Sequence, residues 1–98
     1  MPAVIRYRNL ALEELLDFQD RYNSLLPRKG TELASLVSRS LRLVAAFPRM
    51  HAAGYRGLRH FKVRKFPVFV YYRLDGDIVW IVAVLHTARD QKAALKGR

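Results

Sequence analysis

Two groups of side chains in this sequence are of the types that bind phosphate and move protons. The first follows a long apolar run, where His86 is succeeded by Arg89 and Asp90. The second lies in a segment that alternates like a strand, where Lys62 and Arg64 fall on the same side. An imidazole exchanges protons near neutral pH, and ammonium and guanidinium groups hold phosphate oxygens. The available chemistry is therefore phosphate binding, with or without proton transfer.

Positive charge dominates the chain and is unevenly distributed along it. The 98 residues include 18 Lys and Arg against 8 Asp and Glu, a net charge of +10, and no acid falls between positions 33 and 74. Five of the eight acids precede that stretch. The pattern favours an anionic partner, which is a nucleic acid, a ribosome or an acidic protein segment. A solvated basic surface that serves solubility is the alternative.

The composition also excludes several kinds of site. Without cysteine there is no disulfide and no thiolate nucleophile, and the three histidines lie outside metal-ligand spacing, so we expect no metal and no cofactor. The length fits a single domain over residues 1–98. The apolar runs are too short to span a bilayer and we find no targeting segment, so we expect a cytoplasmic protein without membrane contact.

Strand and helix periodicities follow one another in the first half of the chain. Residues 3–8 alternate as a strand, and Asn9 is expected to cap the helix that follows. After a break at residues 27–30, Thr31 is expected to cap a second helix, which Pro48 ends. Each helix carries one apolar stripe, so both stripes must be buried against another layer.

The second half of the chain predicts that layer. Three strand patterns and a short terminal helix follow at residues 58–64, 66–73, 78–86 and 87–98. The fold class is α+β in the order β-α-α-β-β-β-(α), with a helical hairpin packed on one face of a small antiparallel sheet. The other face is expected to be partly open and to carry His60, Lys62, Arg64, His86 and Arg89.

Particular segments make the sequence resemble the RelE/ParE superfamily of small bacterial toxins from type II toxin–antitoxin systems. The similarity rests on GLR at residues 57–59, FPVFVYYR at residues 66–73 and IVAVLHTARD at residues 81–90, and it spans nearly the whole chain. The resemblance implies the fold described above. It also implies one of two activities, cleavage of messenger RNA in the ribosome for the RelE-like branch or inhibition of DNA gyrase for the ParE-like branch.

Three positions distinguish the two branches. In the RelE-like branch, arginines on the third strand and just past the fourth strand, with a tyrosine in the tail, hold the phosphate and move protons. The matching residues here are Phe69, Thr87 and Ala93. The ParE-like run FP-x-x-x-YY is present at residues 66–72, and its ending H-x-x-R-D is present at residues 86–90. The resemblance is therefore closer to the ParE-like branch.

This resemblance implies a toxin that stalls the cleaved DNA intermediate of gyrase and is neutralised by a cognate antitoxin, with which it can form a hetero-oligomer. The target-binding set is then His86, Arg89, Asp90, Lys92, Lys96, Arg98, Lys62 and Arg64. The alternative is a RelE-like, ribosome-dependent mRNA endoribonuclease, with His86 as acid or base and with Lys62, Arg64 and Arg89 as phosphate ligands. A plain nucleic-acid-binding module is the third hypothesis.

Each candidate group also has a structural explanation. The position of His86 at a strand end favours a hydrogen-bonded structural histidine over a proton-transfer group. Arg89 with Asp90 is explained equally well by an ordinary helix start. The aromatic residues of the strands are either stacking platforms for bases or core residues. These aromatic residues are Phe66, Phe69, Tyr71, Tyr72 and Trp80. Alternation puts some of them on each face of the sheet, which favours core packing for most of the group.

Overall fold

The computed structural model of the protein describes residues 2–98 and places two long helices against one face of a four-stranded sheet. The elements in chain order are β1 (Val4–Tyr7), α1 (Asn9–Leu25), α2 (Lys29–Ala46), a 3₁₀ turn (Tyr55–Gly57), β2 (Arg59–Lys62), β3 (Val68–Asp75), β4 (Ile78–His86) and α3 (Gln91–Leu95). The predicted α+β class with its helical hairpin is confirmed.

The sheet has the strand order β1-β4-β3-β2 and is mixed rather than wholly antiparallel. β3 is antiparallel to β2 and β4, as expected, but β1 lies parallel to β4. Parallel neighbours need a connection that crosses back over the sheet, and the α1–α2 hairpin lies in that connection. β4 is consequently an inner strand, which explains why its sequence is apolar on both faces.

The main core fills the space between the helices and the sheet. Each helix buries one stripe at helical spacing, and alternate residues of the strands face that stripe. The largest fully buried members of this core are Leu33, Val37, Val44, Phe66, Tyr72 and Ile81. Tyr72 donates its hydroxyl hydrogen to the Pro48 carbonyl at 3.1 Å, so its polar atom is satisfied.

A β-bulge in β4 changes the face on which the end of the strand lies. The register of β3 against β4 shifts between Tyr71 and Tyr72, which leaves Val82 as an extra residue in β4. Val82 and Ala83 both face away from the helices, so the alternation restarts one residue out of phase. His86 therefore lies on the helix side, where it lines a pocket against α1. The expectation that His86 lies on the open face is wrong, because it assumed uninterrupted alternation.

The sheet face that points away from α1 and α2 is called the open face here, although α3 covers part of it. Leu95 of α3 is buried against a second cluster on that face. The strand and loop members of the cluster are Leu58, Tyr71, Val82, Ala83 and Leu85. The terminal segment is therefore a docked helix.

Neither of the two predicted helix caps forms. α1 begins at Asn9 itself, and no side chain caps it. α2 begins at Lys29, two residues before the expected cap Thr31. The N–H groups of Gly30 and Thr31 instead donate to Oδ1 of Asn23 in α1, at 2.7 and 3.3 Å. The first turn of α2 is thus capped by the preceding helix, which fixes the hairpin.

Gly30 allows the two helices to approach closely enough for this cap. A Cβ at position 30 would lie 2.0 Å from the carbonyl oxygen of Gln19, which is far inside van der Waals contact. The missing side chain therefore sets the distance between α1 and α2 at this point, and that distance brings Asn23 within reach of α2.

We expect Asn23→Ala to lower the free energy of unfolding by about 1–2 kcal/mol, because two N–H groups of α2 lose their acceptor. Thr31→Ala is the matched control and should change it by less than about 0.5 kcal/mol. Urea denaturation of both variants measures the difference. Equal losses in the two variants would contradict the cap assigned here.

Candidate functional site

The carboxylate of Glu14 in α1 joins three separate parts of the chain. Arg98 donates to it through both terminal nitrogens, Nη1 to Oε1 at 2.7 Å and Nη2 to Oε2 at 3.0 Å. Nη1 of Arg89 lies 3.7 Å from Oε2. Only 14% of each side chain of Glu14 and Arg98 is exposed, so this pair is screened less than a surface ion pair.

The same two side chains cover the part of β4 that has no neighbouring strand on one side. β1 ends its pairing opposite Ile81, so the next backbone groups on that edge have no strand partner. The N–H of Val84 donates to Oε1 of Glu14 at 3.1 Å, and the carbonyl of Val82 accepts from Nη1 of Arg98 at 3.3 Å. Glu14 and Arg98 therefore replace strand hydrogen bonds at this edge.

His86 and Arg89 lie together at the end of β4, beside α1. They line a pocket of about 380 Å³ with Glu14, Asp17 and Arg21 of α1. Nδ1 of His86 accepts a hydrogen bond from the N–H of Ala88 at 3.0 Å, so the neutral ring carries its proton on Nε2. This local bond orients the imidazole and leaves Nε2 available to a partner.

The tail is organised by Asp90 and Gln91. Asp90 caps α3 by accepting from the N–H of Ala93 at 3.1 Å, which confirms the helix-start explanation for this residue. Oε1 of Gln91 accepts from the Tyr71 hydroxyl at 3.0 Å, which fastens α3 to the sheet. Lys92 and Lys96 stay exposed on the outer side of α3. The tail therefore presents two cations on a fixed helix.

Lys62 and Arg64 lie apart from this group. Lys62 is on β2 and is the cross-strand neighbour of Phe69, on the open face. Arg64 is exposed in the turn between β2 and β3. The sheet lies between Lys62 and His86, so the structure does not bring together the complete set suggested by the sequence. It brings together His86, Arg89 and Arg98 on one side, with α3 adjoining them.

Burial shifts the pKa of several ring side chains away from proton transfer. Desolvation raises the pKa of the Tyr7, Tyr71 and Tyr72 hydroxyls. Burial, and secondly the charge of His60, lowers the pKa of His51. In each case burial disfavours the charged form of the ring.

Two features of the site carry no local sequence signal. Glu14 meets its partners across 70 and 84 residues of chain, so no spacing pattern reveals it. Arg8 covers the ring of Trp80, with its guanidinium carbon 4.2 Å from the ring centre, and these two residues are also far apart in the sequence. Within residues 2–98 there is no cluster of three potential metal ligands. The same part of the chain contains no helix with the length and apolarity needed to cross a membrane.

Comparison with known proteins gives one family match and several similar folds. The family model described as the ParE toxin of the type II toxin–antitoxin system parDE matches residues 5–91. The match includes the helical hairpin, the sheet except for Val4, and His86 and Arg89. No curated protein sequence matches this chain.

Three solved structures share the fold at low sequence identity. The chromosomal ParDE TA system from P. aeruginosa matches with a TM-score of 0.74 and 15% identity, covering 86% of this chain and 95% of that chain. A mutant of the E. coli toxin RelE in the free state matches with a TM-score of 0.73 and 17% identity, over 96% and 93%. The intact E. coli RelBE toxin–antitoxin complex matches with a TM-score of 0.60 and 20% identity, over 89% and 99%.

Replacing Glu14 by Gln should lower the free energy of unfolding by about 2–4 kcal/mol, because Arg98 loses its counter-charge in a poorly solvated place. Hydrogen exchange at the amides of residues 91–98 should also become faster, since the tail loses its attachment. Glu13→Gln removes the same charge from an exposed position of α1 and is the control. If both variants lose the same stability, the cluster around Glu14 is not a structural link.

Proposed function

The chain belongs to the ParE toxin family of type II toxin–antitoxin systems, and from this premise we propose that it inhibits DNA gyrase by binding the enzyme and stalling its cleaved DNA intermediate. The observation that carries the proposal is the family match over residues 5–91, which takes in nearly every helix and strand. In this function the protein acts by binding, and gyrase performs the chemistry on DNA.

The residues at the positions used by ribonucleases of the superfamily support a binding function. Phe69 occupies the position where the resemblance implies an arginine of the third strand. Its ring lies edge-on to the His60 ring, with the ring centres 5.1 Å apart. Thr87 and Ala93 stand at the other two positions and carry no cation and no phenol. General acid–base catalysis requires the proton-transfer group and the phosphate ligands to converge. Here Lys62 and His86 are on opposite faces of the sheet.

The surface proposed to contact gyrase lies around the end of β4 and α3. His86 and Arg89 border the pocket beside α1, and Lys92 and Lys96 extend the positive surface along α3. Arg98 belongs to the same region, but its guanidinium is bound to Glu14. We therefore assign it to positioning the tail, and we assign target contact to the four exposed side chains.

A cognate antitoxin is the second partner in this proposal. Two of the similar structures, the ParDE TA system and the intact RelBE complex, come from toxin–antitoxin systems, and this supports an antitoxin partner here. The helical layer also exposes several large apolar side chains that a partner would cover. These side chains are Leu12, Leu16, Leu25, Leu26, Leu43, Phe47 and Met50.

An mRNA endoribonuclease is the second candidate function, and one observation favours it. The imidazole of His86 is exposed, keeps Nε2 free and lies beside Arg89, so a proton-transfer group and a phosphate ligand are adjacent. In that function His86→Ala abolishes ribosome-dependent cleavage of transcripts. Transcripts that stay intact with the unmodified protein and translating ribosomes exclude it.

The gyrase proposal predicts that purified, antitoxin-free protein lowers supercoiling of relaxed plasmid in the presence of ATP and increases trapped linear DNA. Lys92→Gln with Lys96→Gln should raise the half-inhibitory concentration about tenfold, because two contact cations are lost from a surface that stays folded. Arg39→Gln with Arg42→Gln removes the same charge from exposed positions of α2 and should leave inhibition unchanged.

Point substitutions test the tail better than a truncation does. Deleting the chain after Asp90 removes the buried Leu95 and the Arg98–Glu14 pair, so lost inhibition would report misfolding as much as lost contact. If the folded protein leaves supercoiling unchanged and traps no linear DNA, the result contradicts the gyrase proposal.

A further inference from the structure

A row of arginines crosses the open face near the turn that joins β3 to β4. Arg6 and Arg73 are the cross-strand neighbours of Trp80, one on each side of it. Tyr7 and Tyr72, the next residues along their strands, belong to the main core, so Arg6, Arg73 and Trp80 all face away from the helices. Adjacent strands are about 4.8 Å apart, which separates the two arginine positions by about 10 Å.

Arg8 completes the row, which we call the arginine row and define as Arg6, Arg8, Arg73 and Trp80. Its guanidinium lies over the Trp80 ring at 4.2 Å. Arg6 and Arg8 are exposed and Arg73 is half-buried. Within residues 2–98 none of the three arginines forms an ion pair with a carboxylate. Three cations without counter-charges create a strong positive potential on this part of the face.

Most of the acidic residues lie on the other side of the molecule. Five of the eight acids belong to α1 and α2, on the far side of the sheet from the arginine row, while Asp75 and Asp77 lie at the β3–β4 turn beside it. A polyanion that approaches the arginine row therefore meets cations and avoids the negative charge of the helices. Guanidinium groups also match phosphate oxygens in geometry, because their donors form a planar fork.

The aromatic rings of the open face are already occupied, which indicates the form of nucleic acid. Proteins that bind single strands stack bases on exposed aromatic rings. Here Arg8 covers Trp80, and His60 stacks on Tyr71 with ring centres 4.9 Å apart. Tyr71 is itself buried. What remains for a ligand is a set of guanidinium donors, which suits the backbone of a paired duplex whose bases stay stacked.

We propose that the arginine row binds the phosphate backbone of duplex DNA. This inference deepens the proposed function and rests on it for its biological setting, since gyrase acts on duplex DNA. The contact itself requires no gyrase, and it is separate from the surface formed by His86, Arg89 and α3. The protein would then contact gyrase through the end of β4 and α3, and the DNA through the part of the open face near the β3–β4 turn.

Trp80 is the only tryptophan in the chain, so its fluorescence reports binding at this place. Titrating the protein with a 20-base-pair duplex should change the Trp80 emission, and the apparent Kd should rise steeply between about 50 and 200 mM salt. Free tryptophan amide in the same titration corrects for absorption by the DNA. Unchanged emission while fluorescence anisotropy of labelled DNA shows binding would place the contact elsewhere and overturn the proposal.

The variant Arg6→Gln, Arg8→Gln, Arg73→Gln should weaken duplex binding at least tenfold at 50 mM salt. It should also reduce the slope of log K against log salt by about 2.7, because each phosphate contact contributes about 0.9. The control Arg39→Gln, Arg42→Gln, Arg49→Gln removes equal charge from exposed positions outside the open face. The affinity of this control for the duplex should stay within about threefold of that of the unmodified protein. Equal losses in both variants would mean binding through net charge alone and would refute the arginine row.

Three further measurements keep the outcomes distinct. Arg6→Gln with Arg8→Gln changes only exposed residues, so it replaces the triple variant if Arg73→Gln impairs folding. Tighter binding of a single-stranded 20-mer, or of a poly-glutamate peptide, than of the duplex would overturn the choice of partner. Gyrase inhibition without duplex binding refutes this inference alone, and duplex binding without gyrase inhibition refutes the proposed function alone.

Discussion

Along the outer half of β4, the carboxylate of Glu14 accepts a backbone hydrogen bond that a neighbouring strand would otherwise accept. β1 is short and stops opposite Ile81, yet β4 continues to His86. Backbone groups at such an edge must find partners, and here a helix side chain and the terminal arginine provide them. This one charged group links α1, the outer half of β4, Arg89 and the terminal arginine.

This arrangement gives the protein two sides of different character. On the helix side, the end of β4 and α1 form a pocket in which His86 and Arg89 meet. On the open side, α3 covers the middle of the sheet and leaves the arginine row exposed. The bulge at Val82 makes the division possible, because it turns the last residues of β4 toward the helices while the residues before it keep the opposite phase.

The sequence was informative where interactions are local or periodic. The apolar stripes predicted both long helices, and the strand patterns predicted β2, β3 and β4. Asp90 was recognisable as a helix start because its partner is three residues away. The gyrase, antitoxin and contact-residue hypotheses came from the resemblance; the family match confirms the ParE toxin family, and the gyrase target and the contact residues stay predictions.

The failures of the sequence analysis share a physical cause, which is that the deciding contact is distant in the chain or interrupts a period. The cap of α2 comes from Asn23, because Gly30 lets the helices approach. The bulge moves His86 to the other face of the sheet, and no glycine or proline marks its position in the sequence. The bond between Glu14 and Arg98 spans 84 residues, so only the folded chain reveals it.

The separation of acids on α1 from cations on the open face gives the molecule a permanent electric dipole moment across its layers. Near a polyanion, the resulting torque rotates a diffusing molecule before any atom touches. A larger share of collisions then begins with the open face forward, and the association rate rises while the contact area is unchanged. At physiological ionic strength, salt screens this torque beyond about 8 Å, so the protein is oriented only when it is a few water layers from the polyanion.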